Sequence, residues 1–299
     1  MQHHPSTLSE ASEAAPRVPS AGGNYTPTEM QADRRSTRWL ADRMTTKLRE
    51  ILERRVRELP PGRYMRQRLA RASLERFADG RPLRVLDAGC GEGLLTTDLG
   101  RRHPSWTIEG VDISEDAILA GRALASERRA ENVTFRRGNV TNGVGNERYD
   151  AVAALECLLE IQDDEGAVAS LAGALRPGGL LVLHVPERDW KPLFRTGRRT
   201  WKLEVRHGYG REEIVELVER AGLRVHRVSA TTRGMLQLAE EARDRVRGSS
   251  LRVRALALPL VRTAVLLERT GITWGPARAF HIEARKPMEE HDSIPGAAS

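Results

Sequence analysis

The sequence is short of cysteine and of long apolar runs. Its two cysteines, Cys90 and Cys157, fit no metal-ligand spacing. The most apolar stretch, residues 255–267, is too short to span a bilayer and is interrupted by Pro259 and Arg262. The first residues lack the charged and then apolar layout of a signal peptide. These absences predict a cytoplasmic protein with free thiols, no bound metal and no membrane partner.

Lysine is also scarce: it supplies four of the 48 basic residues, and arginine supplies the rest. Residues 31–79 hold 14 basic against 7 acidic residues, a surplus equal to the net charge of +7 of the whole chain. One interpretation is a surface for nucleic acid or membrane. The other is a helical cap with its arginines in solvent. Only Trp39 and Tyr64 lie among these arginines, so the series of aromatic side chains that base stacking needs is missing. The pattern therefore favours the helical cap and predicts no nucleic-acid partner.

Composition also separates the ends of the chain from its middle. Residues 1–35 are rich in small and polar side chains and are predicted to form a disordered tail, and residues 287–299 a flexible one. Residues 36–79 carry apolar positions at three- and four-residue steps, which predicts a cap of two helices. The first helix is predicted to end at the Pro-Pro-Gly turn of residues 60–62, and the second to cover residues 63–78.

A glycine-rich stretch organises the rest of the chain. An apolar run ends at Asp87, and a helix is predicted over residues 94–102. Alternate glycines between them let the backbone approach a ligand; they are Gly89, Gly91 and Gly93. A dinucleotide-binding turn would have its third glycine at Leu94. A carboxylate two residues before the first glycine suits a ligand that carries an ammonium group and would repel a pyrophosphate, so the turn points away from NAD.

A second candidate ligand follows the next predicted strand, residues 106–112. Asp112 ends this strand about 20 residues after the glycine turn, a position suited to accepting hydrogen bonds from both hydroxyls of a ribose. Ile113 follows and is a candidate to pack on the face of an adenine ring. Ser114 is predicted to cap the next helix, which has acidic residues in its first turn.

Further stretches occur in order and at regular spacing; they are residues 133–140, 149–161 and 175–185. With the glycine turn and Asp112, they make residues 80–286 resemble the class I S-adenosylmethionine-dependent methyltransferases. The likeness is strongest to the small-molecule branch, which includes quinone-biosynthesis and natural-product enzymes. The resemblance implies S-adenosylmethionine as the cofactor. It also implies an α/β, Rossmann-like fold whose seven-stranded sheet is mostly parallel with an antiparallel last strand, beneath an N-terminal helical cap.

The resemblance also implies roles for individual residues. Asn139 stands where the family usually carries an acid that accepts from the adenine amino group, and its amide oxygen retains that capacity. Val140 would supply apolar surface to the same ring. Glu156 is a candidate cofactor-binding residue, in the loop that covers the methionine part of the cofactor and faces the acceptor. The acidic run at residues 163–165 is predicted to cap a helix rather than to bind a metal.

The predicted activity is methyl transfer to oxygen or nitrogen of a small molecule. Transfer to oxygen usually uses a base, for which His184 and His207 are the candidates near the predicted ligand edge. The connection of residues 187–209 is the predicted wall of the acceptor pocket, and a helical insertion is predicted at about 234–269. Two alternatives stay open: an RNA or protein methyltransferase, and a catalytically inactive cofactor-binding subunit. The oligomeric state is not predicted.

Overall fold

A computed structural model of the 299-residue chain describes residues 61–191, 205–232, 234–245, 258–270 and 275–288. The predicted N-terminal tail, the first cap helix and all but two residues of the predicted C-terminal tail lie outside these ranges. So does the middle of the connection predicted to form the acceptor-pocket wall.

The described residues form seven helices, two short 3-10 turns and seven strands. The strands are β1 (Arg84–Ala88), β2 (Thr107–Asp112), β3 (Val133–Arg137), β4 (Tyr149–Leu155), β5 (Leu175–Pro186), β6 (Arg224–Thr231) and β7 (Ala279–Arg285). The helices are α1 (Pro61–Ala78), α2 (Leu94–Arg102), α3 (Glu115–Glu127), α4 (Asp164–Ala174), α5 (Arg211–Arg220), α6 (Gly234–Arg245) and α7 (Leu258–Thr270). None of these helices is long and apolar enough to cross a membrane.

The seven strands form one sheet in the order β3-β2-β1-β4-β5-β7-β6. The first five strands are parallel, and β7 runs antiparallel to both of its neighbours, β5 and β6. The predicted Rossmann-like sheet is therefore confirmed. Ala88 at the end of β1 pairs with Val111 of β2 and with Ala154 of β4. The carboxyl ends of these strands thus meet at one edge, where the strand order reverses and α/β sheets bind ligands.

Both faces of the sheet are covered. The central strands carry nearly continuous apolar runs, as parallel strands buried on both faces do. Helix α1 packs on one face through Ala70 and Leu74, in a cluster with Val85 and Val182 of the sheet. The second helix predicted for the cap is therefore part of the folded domain, and its N-terminal end reaches the ligand edge.

Several predicted boundaries shift in the structure. Helix α1 begins at Pro61, inside the predicted turn, because proline fits the first helical position, where no N–H partner is needed. Helix α4 ends at Ala174 and β5 begins at Leu175, although the Pro-Gly-Gly sequence predicts a turn over residues 175–179. Strand β6 continues to Thr231, whereas the sequence pattern predicts a strand over residues 223–228 only. This extension places Thr231 beside His184, which lies near the end of β5.

Candidate active site

The glycine turn between β1 and α2 combines close packing with open space. Gly89, Gly91 and Gly93 all have positive φ angles, of 68°, 52° and 68°. A Cβ on Gly89 would lie 2.4 Å from Cβ of Cys157, and one on Gly93 would lie 2.4 Å from the ring of Phe135. A Cβ on Gly91 would meet no atom within 4 Å. Two of the glycines therefore allow tight packing beneath the turn, and Gly91 leaves room above it.

Backbone hydrogen bonds fix this turn against the end of β2. The N–H groups of Gly89 and Cys90 donate to the carbonyl of Val111 at 2.8 and 3.0 Å. The N–H of Gly91 donates to Oδ2 of Asp112 at 2.8 Å, and the N–H of Ser114 donates to Oδ1 at 2.9 Å. A carboxylate offers about four lone-pair positions, so two remain for a ligand. Asp112 is thus held in one orientation at the ligand edge.

Asp87 is buried beneath the turn. Its Oδ2 accepts a hydrogen bond from Oγ1 of Thr96 at 2.6 Å. Burial raises the pKa of Asp87 to about 6; the hydrogen bond from Thr96 opposes the rise, and the nearby charge of Asp112 adds to it. A positively charged ligand group beside Asp87 would therefore stabilise the ionised form of its carboxyl group.

A cavity of about 690 Å³ opens at this edge of the sheet. It is bounded by α1, the glycine turn, the ends of β2, β4 and β5, the start of β7, and α6. Of the sequence-predicted site residues, those that line it are Asp87, Gly89, Gly91, Asp112, Glu156 and His184. The structure therefore brings together residues that are up to 97 positions apart in the sequence.

The other predicted site residues lie outside the described lining of the cavity. Gly93 packs beneath the turn, and Val140 is buried in the core. Ile113 is 63% exposed beside Asp112. Asn139 caps the 3-10 turn after β3, its Oδ1 accepting from the N–H of Thr141 at 3.0 Å. His207 is exposed.

One wall of the cavity is built around Glu156, directly after β4. Oε2 of Glu156 lies 2.8 Å from a guanidinium nitrogen of Arg66 on α1, and Oε1 lies 3.4 Å from Nδ1 of His184. Burial raises the pKa of Glu156, but Arg66 and His184 outweigh burial and hold the pKa at about 2. Glu156 has a φ of 64°, which is uncommon for a residue other than glycine. Such strained residues cluster at functional sites.

Another part of the cavity wall is organised by Glu240 of α6. Its carboxylate accepts a hydrogen bond from the N–H of Gly62 at 2.7 Å and pairs with Arg278 before β7. The guanidinium of Arg278 lies 4.3 Å from the ring centroid of Trp190, within cation–π range. Helix α6, which is part of the predicted insertion, therefore links α1 to the cavity-lining segments around Trp190 and Arg278.

Sequence reasoning did not identify Arg66, Glu240 or Arg278 as site residues. Arg66 lies in an arginine-rich stretch and Glu240 in an acidic one, and nothing local marks Arg278. Within the described ranges, His, Cys, Asp and Glu side chains form no group of three or more that could hold a metal ion.

The model of a methyltransferase domain family matches residues 61–228, which is more than half of the chain. The chain belongs to this family, and the resemblance inferred from the sequence is confirmed. The match begins at the start of α1, so it includes the second predicted cap helix.

Curated relatives are similar in sequence to this chain over part of their length. The chain is 34% identical over 109 residues to a ubiquinone biosynthesis O-methyltransferase of Bradyrhizobium sp. (strain ORS 278), covering 36% of this chain and 42% of the relative. It is 36% identical over 110 residues to the protein of the same name from Alkalilimnicola ehrlichii, covering 36% of this chain and 43% of the relative. The chain thus spans less than half the length of these relatives.

Solved structures of low sequence identity share the fold. A putative sarcosine dimethylglycine methyltransferase from Galdieria sulphuraria is 15% identical, with a TM-score of 0.54 over 74% of this chain and 85% of that one. A [4+2]-cyclase is 21% identical, with a TM-score of 0.52 over 74% of this chain and 81% of that one. Because a cyclase shares the architecture, the fold does not fix the reaction, and the function must be argued from the site.

Proposed function

We propose that the protein is an S-adenosylmethionine-dependent methyltransferase that acts on oxygen or nitrogen of a small molecule in the cytoplasm. Membership of the family and the names of the relatives support this activity. The observation that carries it is the joint placement of Asp87, Gly91 and Asp112 at one end of the cavity. Together they offer a buried acid, an open turn and a fixed carboxylate.

The residues at this end fit the parts of S-adenosylmethionine. Asp112 has lone pairs left for both ribose hydroxyls, and Asp87 suits the ammonium group of the methionine part. The open space above Gly91 leaves room for the ligand backbone to approach. Ile113, exposed next to Asp112, offers apolar surface to the adenine, with Asn139 and Val140 farther along the same edge. When bound, the cofactor supplies a methyl group on a positively charged sulfur.

The remaining end of the cavity is the proposed acceptor site. It is lined by Arg66, Glu156, His184, Trp190, Glu240 and Arg278. These side chains position the acceptor and exclude water, and positioning provides much of the acceleration in a displacement reaction. His184 is the proposed base.

The arginines of α1 support a small-molecule partner over an anionic polymer. Arg66 pairs with Glu156, Arg71 with Asp98 at 2.6 Å, and Arg76 with Glu283 at 2.7 Å. Guanidinium groups held in internal ion pairs are less available to phosphates, whose binding relies on many free cations. This arrangement favours the interpretation of α1 as a structural cap.

A screen for methyl gain tests the proposed function. The full chain is incubated with S-adenosylmethionine and fractionated metabolite extracts, and products are analysed by mass spectrometry. We expect a small molecule whose mass rises by one methyl group only when enzyme and cofactor are both present. Methylation of RNA or protein alone would contradict the small-molecule assignment.

Cofactor affinity is expected to fall below pH 6. The ammonium group binds the ionised form of Asp87, whose pKa in the free protein is about 6. Above pH 6 the carboxylate is present, whereas at lower pH binding must first release its proton. We expect the dissociation constant to rise by about tenfold per pH unit below 6, measured by calorimetry between pH 5 and 8. Asp87→Asn is the control, and an equally steep dependence in that variant would contradict the assignment.

Gly91→Ala is expected to weaken cofactor binding by more than the accompanying loss of folding stability would cause. Gly222 provides a matched control, because it also has a positive φ, of 81°, and space for a Cβ, but lies after α5 outside the cavity lining. Each alanine should cost roughly 1 kcal/mol of stability through backbone strain. Only Gly91→Ala should lose affinity, by roughly tenfold or more, since its methyl group enters the ligand space. Equal affinities of the two variants would place the cofactor elsewhere.

A further inference from the structure

Glu240 of α6 joins two segments of the cavity wall that are far apart in the sequence. Its Oε1 accepts a hydrogen bond from the N–H of Gly62 at 2.7 Å, and its Oε2 pairs with the guanidinium of Arg278. The side chain of Glu240 is 13% exposed, so both contacts are largely shielded from water. The two oxygens of one carboxylate therefore connect the start of α1 with the segment before β7.

The contact with Gly62 stabilises the beginning of α1. N–H groups in the first turn of a helix have no partner within the helix, and the positive end of the helix dipole lies there. Helix α1 has no acidic residue in its own first turn, so Glu240 supplies the negative charge from α6. Arg66 follows one turn after Gly62 and lines the cavity, and Glu240 therefore also fixes this part of the wall.

The contact with Arg278 extends to Trp190, which lines the cavity and is partly exposed. The guanidinium carbon of Arg278 lies over the indole ring, 4.3 Å from its centroid, where cation–π attraction is effective. The N–H of Glu187 donates to the carbonyl of Arg278 at 2.8 Å, which holds the start of the segment with Trp190 against the residue before β7. Because Glu240 fixes the guanidinium, it also determines where the indole ring lies.

A second residue of α6, Gln237, holds the backbone beside Trp190. Gln237 is fully buried, and its Nε2 donates to the carbonyl of Lys191 at 3.0 Å. Gln237 and Glu240 are three positions apart and therefore lie on the same face of the helix. This face holds Trp190 through the neighbouring backbone and through the guanidinium beside its ring. The indole ring is therefore fixed at the cavity wall from two directions.

We infer that Glu240 is a positioning residue for the methyl acceptor: it fixes α1 and Arg278, so that Trp190 presents a rigid face to the acceptor. Trp190 contacts the acceptor, and Glu240 acts through its two partners. An indole ring that is already immobilised binds a flat apolar group at a low cost in conformational entropy. This inference rests on the proposed function and deepens it, because it assigns recognition of the acceptor to α6 of the insertion.

Nitrogen NMR of the full chain labelled with ¹⁵N-tryptophan tests the positioning without any activity. Trp190→Phe identifies the indole N–H signal of Trp190, and Trp106 in the core is the internal reference for an intact fold. We expect a high heteronuclear NOE for Trp190 in the wild type and a lower one in Glu240→Ala, with Trp106 unchanged. A Trp190 ring that is equally rigid in both proteins would overturn the inference.

Gly62→Ala disturbs the same contact from the other side. Alanine favours a helix more than glycine does, so α1 itself should not be weakened, but the added Cβ would displace the carboxylate of Glu240. Gly173→Ala in α4 is the matched control, because the nearest atom to a Cβ there is 3.9 Å away and Gly173 lies outside the described cavity lining. We expect only Gly62→Ala to raise the acceptor KM, and equal values would contradict the link to α1.

Kinetics then separate positioning from a general structural loss. Glu240→Ala should raise the acceptor KM by roughly tenfold and lower kcat by less, because contact with Trp190 is made in the ground state as well as the transition state. Glu240→Gln should have a smaller effect, since its amide keeps one of the two acceptor oxygens. The dissociation constant of S-adenosylhomocysteine should stay unchanged, and an equal loss of cofactor binding would contradict the inference. Absence of S-adenosylhomocysteine binding to the wild type would refute the proposed function and leave the NMR result standing.

Discussion

Replacing His184 by glutamine is expected to lower kcat by about 10²–10⁴-fold. The glutamine amide can still form a hydrogen bond with Thr231, so the fold of the wall is retained, but the imidazole proposed as the base is lost. The affinity for S-adenosylhomocysteine should be nearly unchanged, because the cofactor residues lie at the other end. Single-turnover rates with the acceptor found by the methyl-gain screen, together with calorimetry, measure the two effects separately.

His281→Gln is the matched control for this prediction. His281 pairs with His184 across β5 and β7, and both residues are 2% exposed. The Nε2 of His281 lies 2.9 Å from Oγ of Ser73 on α1, and the residue is absent from the described cavity lining. We expect His281→Gln to reduce thermal stability and to leave the single-turnover rate within severalfold. Equal rate losses in the two variants would show that His184 is structural.

Replacing Asp112 by alanine is expected to weaken cofactor binding by about 30- to 1000-fold. Hydrogen bonds to a charged group contribute roughly 1.5–3 kcal/mol each, and two ribose hydroxyls would lose their acceptor. If water partly replaces these hydrogen bonds, the loss of binding free energy is roughly 2–4 kcal/mol. The variant also frees the N–H of Gly91, which loosens the turn. The rate at saturating cofactor should change much less, because the ribose contact is similar in the ground and transition states.

Asp98→Ala is a suitable comparison for Asp112→Ala. Asp98 on α2 is also a partly exposed acid, but it pairs with Arg71 and Arg102 and lies outside the described cavity lining. Its removal should leave the dissociation constant unchanged. An Asp112→Ala protein with normal affinity would show that the ribose does not bind there.

Features set by neighbouring residues were predictable from the sequence. Ser114 caps α3, its hydroxyl accepting from the N–H of Ala117 at 3.3 Å, and Asp163 caps α4 in the same way at 2.8 Å to Gly166. Alternating glycines predicted the turn, because such positive φ angles strongly favour glycine. The mostly parallel sheet followed from the resemblance to the methyltransferase family, which the glycine turn and the later stretches indicated.

Contacts between distant segments were not predictable in this way. Glu240 meets Gly62 across 178 positions, and neither residue carries a local signal of that contact. Glu156 adopts a positive φ without being glycine, because Arg66 and the end of β4 hold it. The contact between Thr231 and His184 depends on β6 continuing past Val228, and pairing with β7 sets that length. Tertiary structure, rather than local pattern, decides each of these features.

Calorimetric titration of the full chain with S-adenosylhomocysteine and, separately, with NAD tests which cofactor binds at the glycine turn. We expect saturable one-to-one binding of S-adenosylhomocysteine, weakened by Asp112→Ala, and no binding of NAD at the same concentrations. Binding of NAD without binding of S-adenosylhomocysteine would contradict this expectation.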